Sequence, residues 1–219
     1  MYNSFEQLKK DCLSCQKCGL ASTRNKVVFG IGDQHSPVMF VGEGPGEQED
    51  LKGEPFVGRA GQLLDKLLMA VDLDRSNVYI ANIVKCRPPK NRDPLPEEQE
   101  ACIGYLREQF RLIRPKMIVC LGRVAAQKLI SPDFKVTQQH GQWIEKNGTL
   151  MMGTYHPAAL LRNPNNKPFA LEDFVKIKEK IDEIRQIDYL VKYQSYDIGY
   201  IKIMLCCVFL FCPVFCLRT

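Results

Sequence analysis

Cysteine spacing is the first chemistry that the chain offers. Cys12, Cys15 and Cys18 form a C-x2-C-x2-C run, while Cys86 and Cys102 flank the loop RPPKNRDPLPEEQEA. A C-x2-C pair presents two thiolates from one turn of chain, and Cys12–Cys15 and Cys15–Cys18 fit that role equally well. Two further thiolates from Cys86 and Cys102 would complete a four-sulfur set able to hold zinc or an iron–sulfur cluster, and spacing alone suits both. The competing reading makes Cys86 and Cys102 small buried hydrophobes, as Cys120 within the apolar KMIVCLG is expected to be.

The loop VGEGPGEQED poses a different problem, with three glycines and a proline beside four carboxylates directly after an apolar run. Gly42, Gly44 and Gly46 would let backbone approach a ligand closely. The pattern is neither G-x-G-x-x-G nor a P-loop, so nucleotide phosphate is disfavoured. Exposed amides around Pro45, with Glu43 and Glu47, suit a flat polar ligand beside a developing positive charge. Cleavage of a glycosidic bond creates such a charge, which a carboxylate can stabilise while it orients water. A solvated acidic loop is the plainer alternative.

Downstream, GEPFVGRAG sets Phe56 between glycines as a stacking surface, and Asn82 lies near the end of an apolar run with an amide that needs partners. His156 follows a hairpin signal in TYHPAALLRNP; alone it would more often be structural. Lys85, Arg87, Lys90 and Arg92 lie on a proline-stiffened segment suited to phosphate contact. Leu160 or Leu161 could act as an apolar wedge in a nucleic acid stack, with Arg162 on phosphate.

These residues need a scaffold, and the pattern supplies one. VMFVG, NVYIANIV and KMIVCLG read as buried strands, and QWIEKNGTLMMGTYHP as a hairpin around Asn147-Gly148. Helical spacing marks RAGQLLDKLLMAV, LPEEQEACIGYLREQFRLI, RVAAQKLI and the stripe Phe174, Ile177, Ile181 and Ile184. Strands alternating with helices imply an α/β fold, a mainly parallel sheet covered on both faces, with the site at the strands' C-terminal ends.

Composition sets the bounds. The 219 residues, 45% apolar and 25% charged, suit one domain with an appendage, and the net charge of +5 permits a nucleic acid partner without demanding one. The N-terminal MYNSFEQLKKD has no apolar segment of the secretory kind, so a cytoplasmic location is expected, where ten cysteines favour metal ligation over disulfides. Residues 1–187 form the expected domain. The tail from 188 to 219 contains IMLCCVFLFCPVFCL, short for a spanning helix and interrupted by Pro213. A membrane attachment, a partner-binding segment and a poorly folded extension all fit it, membrane attachment least.

In combination, VGEGPGEQED, GEPFVGRAGQLL, NIVKCRPPKNRDPLPEE and HPAALLRNP resemble the iron–sulfur uracil-DNA glycosylases, the fourth family of their superfamily, over residues 12 to 186. The resemblance implies a three-layer α/β/α sandwich around a four-stranded sheet and a 4Fe–4S cluster as the sole cofactor; a monomer is expected. It also implies hydrolysis that removes uracil from single- and double-stranded DNA, leaving an abasic site without cutting the strand. By position it assigns the cluster to Cys15, Cys18, Cys86 and Cys102 and leaves Cys12 over. Phe56 matches the aromatic that stacks on uracil, Asn82 the reader of its edge, His156 the donor near O2, and Glu47 a guard against the thymine methyl. Glu43 is the carboxylate expected to position water, although the best-known sister family reads GQDPYH at this loop and its catalytic Asp falls on Gly44. Two rivals remain at this stage: an iron–sulfur protein that binds DNA without cleaving, and a zinc-stabilised hydrolase of free nucleosides.

Overall fold

A computed structural model describes residues 1–194 of the chain. Residues 1–178 gather into one compact unit; of the second unit, which begins at 179, the described part is helical. The rest of the apolar tail lies outside the described residues. Among the described residues, no helix is long and apolar enough to cross a membrane.

The first unit is built on a sheet of order β1-β3-β2-β4-β6-β5. Its four inner strands run parallel: β2 (Val38–Gly42), β3 (Tyr79–Asn82), β4 (Met117–Leu121) and β6 (Thr149–Thr154). Positions in β2, β3 and β4 are all buried, as expected for a parallel sheet with both faces covered. The expectation of four strands is corrected to six, because an antiparallel strand closes each edge. One is β5 (Trp143–Lys146), paired to β6 through the foreseen turn, where Asn147 and Gly148 both have positive φ, 52° and 73°. The other, β1 (Ile31–Gly32), is too short to show a period, and Gly32 (φ 120°) lies so close to β3 that a Cβ would stand 2.0 Å from the Val78 carbonyl oxygen.

The described residues also form helices α1 (Phe5–Leu13), α2 (Glu47–Lys52), α3 (Arg59–Met69), α4 (Pro96–Ile113), α5 (Arg123–Leu129), α6 (Val136–Gln139), α7 (Pro157–Arg162) and α8 (Lys167–Gln194). In α3 the leucine spacing buries Leu64, Leu67 and Leu68, each worth about 1.5–3 kcal/mol of transfer free energy. The α8 stripe buries Phe174 and Ile177, and the Phe174 ring stacks on Phe40 of β2 at 5.7 Å. Helix α8 continues without interruption past residue 187, where the sequence pattern placed a boundary.

Helix α2 explains part of the acidic loop. Glu47, Glu49 and Asp50 occupy its first turn, where carboxylates interact favourably with the exposed N–H end, and Gly53 (φ 84°) caps it. Asp50 is buried, and its carboxylate accepts from Asn25 N (2.9 Å), Asn25 Nδ2 (2.5 Å) and Lys26 N (3.3 Å). That grip fixes the N-terminal segment to the loop after β2. Asp50→Ala leaves those donors without their acceptor and should cost about 2–3 kcal/mol, a drop of roughly 4–12 °C in thermal midpoint. A change under about 1 °C by calorimetry would show that the contact contributes nothing to stability.

Candidate functional site

All four parallel strands deliver a residue to one cavity of about 710 Å³. Glu43 follows β2, Asn82 ends β3, Gly122 follows β4, and His156 stands two residues beyond β6. The parallel order reverses at β2, which has β3 on one side and β4 on the other. A crevice at such a switch point, outside the strands' C-terminal ends, is where α/β sheets take ligands.

Asn82 is 1% exposed, and its Oδ1 is the one buried side-chain polar atom among the described residues with no hydrogen-bond partner. A buried acceptor left open is costly unless a ligand supplies the donor. Gly42 forms the floor beneath it: a Cβ there would lie 2.4 Å from Asn82 Oδ1 and 2.6 Å from Phe56 Cζ.

Phe56 adopts positive φ (54°), a strained setting that its surroundings impose. Arg75, paired with Asp65 at 2.7 Å, donates to the carbonyls of Pro55 and Phe56. Glu49 Oε1 accepts from Val57 N and Gly58 N, both at 2.8 Å. Gly61 passes under the Phe56 carbonyl, where a Cβ would be 1.6 Å from the oxygen. The Phe56 ring is thereby held 5.7 Å from the imidazole of His156.

His156 caps α7: its Nδ1 accepts from Ala158 N at 3.1 Å. That bond leaves Nε2 as the protonated nitrogen and the ring as a neutral donor. Burial, with help from the Arg162 guanidinium and against Glu49, pushes its pKa down to about 4. Glu43 moves the other way. Burial and the Asp93 carboxylate raise it to about 7, while Arg123 and Arg162 oppose the rise.

Several expected site residues are placed differently. Glu47 stands outside the cavity lining, its side chain 64% exposed and paired with Arg87 at 3.7 Å, because α2 turns it away. Lys85 does not reach the surface: it is 1% exposed, with Nζ on the Asn82 carbonyl (3.0 Å) and Gln109 Oε1 (2.7 Å). The basic loop begins only at Arg87. Arg92 lines the cavity but is engaged bidentately by Glu98 at 2.8 and 2.7 Å. Leu160 is fully buried, so of the two wedge candidates only Leu161 is exposed, beside exposed Arg162. Gly44, Pro45, Phe56, Asn82 and His156 all line the one cavity. Sequence reasoning missed Glu49, Arg75 and Gly61, whose braces connect segments far apart in the chain, and Arg123, which pairs with Asp93 at the cavity mouth.

A second, small cavity collects Cys12, Cys15, Cys18, Cys86 and Cys102. Cys12 is fully buried on α1, whereas Cys15 and Cys18 are half-exposed on the segment after it. Two sulfurs already accept donors: Cys102 Sγ from Lys85 N at 3.2 Å and Cys86 Sγ from Arg24 Nη1 at 3.5 Å. Burial pushes both thiols up, Cys86 to about 11, and the N–H groups aimed at the sulfurs work against that rise. The buried lysine beside them, whose two hydrogen-bond partners are neutral, also favours an anionic group here. Among the described residues, no three Cys, His, Asp or Glu side chains stand close enough to ligate one ion.

A family model described as the uracil DNA glycosylase superfamily matches residues 29–181. The chain is 45% identical over 186 residues to the type-4 uracil-DNA glycosylase of Archaeoglobus fulgidus, covering 80% of this chain and 92% of that one. With the type-4 enzyme of Sulfurisphaera tokodaii it shares 42% over 208 residues (89% and 94% covered). With that of Thermotoga maritima it shares 44% over 180 (80% and 92%).

The floor of the larger cavity provides a test. Gly42→Ala must displace either Asn82 or Phe56, given the close approaches above. The variant should fold and keep its affinity for undamaged DNA while losing at least about tenfold of its preference for a uracil-containing strand, measured by fluorescence anisotropy. An unchanged preference would mean that the floor yields and that the close approach has no role in recognition.

Proposed function

The chain belongs to the uracil DNA glycosylase superfamily, in its type-4 family, and we propose that it is a DNA repair hydrolase that cleaves the N-glycosidic bond of uracil in single- and double-stranded DNA. The products are free uracil and an abasic site in an uncut strand. The observation that carries this reading is the partnerless Oδ1 of Asn82 inside a cavity walled by an aromatic ring and a neutral imidazole.

A base within a duplex must first be extruded, at a cost of a few kcal/mol. Exposed Leu161 fills the gap and Arg162 and Arg87 hold phosphate. The extruded uracil stacks on Phe56. Asn82 Oδ1 accepts from N3–H and its amide nitrogen donates to O4, a pattern that cytosine reverses. As the bond between N1 and C1′ breaks, its electron pair goes to the base, and Nε2–H of His156 donates to O2, where the charge develops. A neutral donor does this without transferring its proton. The sugar is left electron-poor at C1′, and the Glu43 carboxylate both stabilises it and accepts a proton from the attacking water.

Glu43 therefore has to be ionised. With its pKa raised to about 7 in the free enzyme, kcat/KM should fall about tenfold per pH unit below that value and level off above it. His156, neutral above about 4, contributes no limb in that range. Glu43→Gln should abolish the limb and cost about 10²–10⁴ in kcat. A wild-type acid limb that survives in Glu43→Gln would remove Glu43 from this role. Absence of any uracil release would leave a protein that binds without cleaving.

The cysteine cavity fits a 4Fe–4S cluster held by Cys15, Cys18, Cys86 and Cys102. Thiols gathered around one cavity but not around one point suit a cluster whose irons stand apart better than a single zinc ion. When bound, the cluster would crosslink the N-terminal segment to the ends of the basic loop; base hydrolysis transfers no electrons. Anaerobically purified protein should contain roughly four irons and four sulfides per chain. Cys12→Ser should retain them and Cys15→Ser should not. Stoichiometric zinc without sulfide, or iron lost from Cys12→Ser, would overturn the ligand set.

A further inference from the structure

Lys85 takes no direct part in this scheme, yet its amine lies in the interior, where a methionine would fill similar volume without a charge to desolvate. Its Nζ reaches back three residues to the carbonyl of Asn82 (3.0 Å) and across to Gln109 Oε1 (2.7 Å). Gln109 is itself fully buried and immobilised, with Nε2 donating to the Phe29 carbonyl (2.9 Å) and Tyr79 Oη (3.0 Å). The backbone of Lys85 is tied as firmly, donating to Cys102 Sγ (3.2 Å) and accepting from Val28 N (2.8 Å).

The geometry points to Lys85 as a positioning residue for uracil selection: anchored on Gln109, its ammonium holds the carbonyl of Asn82 and so keeps the Asn82 amide fixed with Oδ1 open to the base. This rests on the reading of Asn82 as the group that recognises uracil. An Asn amide turned over would present its nitrogen to N3 and suit cytosine, so selectivity depends on what restrains residue 82. Without the ammonium, the carbonyl at the end of β3 becomes a second buried acceptor lacking a partner. The strand end then relaxes toward whatever donor is nearest. Lys85 also places the restraint within one residue of Cys86, so the cysteine cavity and the base cavity share a single stretch of backbone.

The test uses the full chain with its metal content assayed. Binding of free uracil is followed by calorimetry, excision from uracil- and cytosine-containing strands by a gel assay, and affinity for uracil-free DNA by anisotropy. Lys85→Met should weaken free uracil binding about tenfold and narrow the preference for uracil over cytosine. Iron content and affinity for uracil-free DNA should stay within about twofold of the parent, because the phosphate contacts lie elsewhere. Gln109→Leu, which removes the anchor without touching the segment beside Cys86, should act in the same direction with a smaller effect, and it decides the matter if Lys85→Met loses iron or does not fold. If Asn82→Ala loses uracil binding while Lys85→Met and Gln109→Leu keep it within about twofold, the positioning role is wrong and the reading of Asn82 stands. If Asn82→Ala itself retains uracil binding, that reading fails. Equal losses of uracil and DNA affinity in the Lys85 and Gln109 variants would mean general damage and overturn the inference.

Discussion

The structure depends on a conflict at the end of β3. Residues 82 to 86 must leave a parallel sheet, where every backbone group needs a partner, and also present an amide whose oxygen has none. Folded proteins rarely leave such an atom open, because burial removes the water that would otherwise satisfy it. The cost is tolerable only if everything else nearby is fully bonded. That is what the surroundings provide. The Asn82 carbonyl has Lys85, the N–H of Ile83 has the Gly42 carbonyl at 3.0 Å, and the N–H of Val84 has that of Glu43 at 3.2 Å. The opposite wall is fixed by Arg75 and Glu49 on either side of Phe56. Under the proposed function, a rigid frame around one unsatisfied atom is what lets that atom discriminate between ligands.

Burial shapes the electrostatics of the same cavity in two directions. It disfavours charge of either sign, so it raises the carboxyl of Glu43 to about 7 and lowers the imidazole of His156 to about 4. Near neutral pH the histidine carries no charge and the glutamate is poised between its two forms. Under the proposed function this separates their roles. A neutral donor stabilises a leaving anion through a preorganised hydrogen bond, whereas a carboxylate close to its pKa can take up a proton as water adds. Arg162 acts on both groups in one direction, adding to the fall at His156 and opposing the rise at Glu43.

How much of this was legible in the sequence follows from the range of each signal. The parallel strands show as continuous apolar runs, and the hairpin as Asn-Gly between extended segments, because those signals are local. Strand β1 gives two residues and no period. The four carboxylates after β2 look like one acidic loop, yet each does something different: Glu43 faces the cavity, Glu47 pairs with Arg87, Glu49 caps the Phe56 loop, and Asp50 binds the N-terminal segment. Six residues of helix are enough to separate the last three, and too few to display an apolar stripe. Lys85 reads as a loop cation because Arg87, Lys90 and Arg92 follow it, but the chain does not leave the interior until Cys86 has passed. Leu160 and Leu161 are adjacent and chemically alike, so only the helix that carries them tells buried from exposed.

Helix α4 shows why the long-range part stayed hidden. Its sequence shows an apolar spacing, but the buried face also carries polar groups at 98, 102, 105 and 109, steps of four, three and four that keep them on one side. Each meets a different demand of the segment running opposite. Glu98 binds Arg92 and the N–H of Leu95, Cys102 takes the N–H of Lys85, Tyr105 Oη donates to Asp11 of α1 at 3.2 Å, and Gln109 takes the ammonium of Lys85. One helix face thus supports the basic loop, the cysteine cavity and the end of β3 together. A shift of α4 along its axis would disturb all three at once. The buried polar stripe is costly as packing, since each member needs a matched partner, and that same requirement fixes the helix in one register against β3.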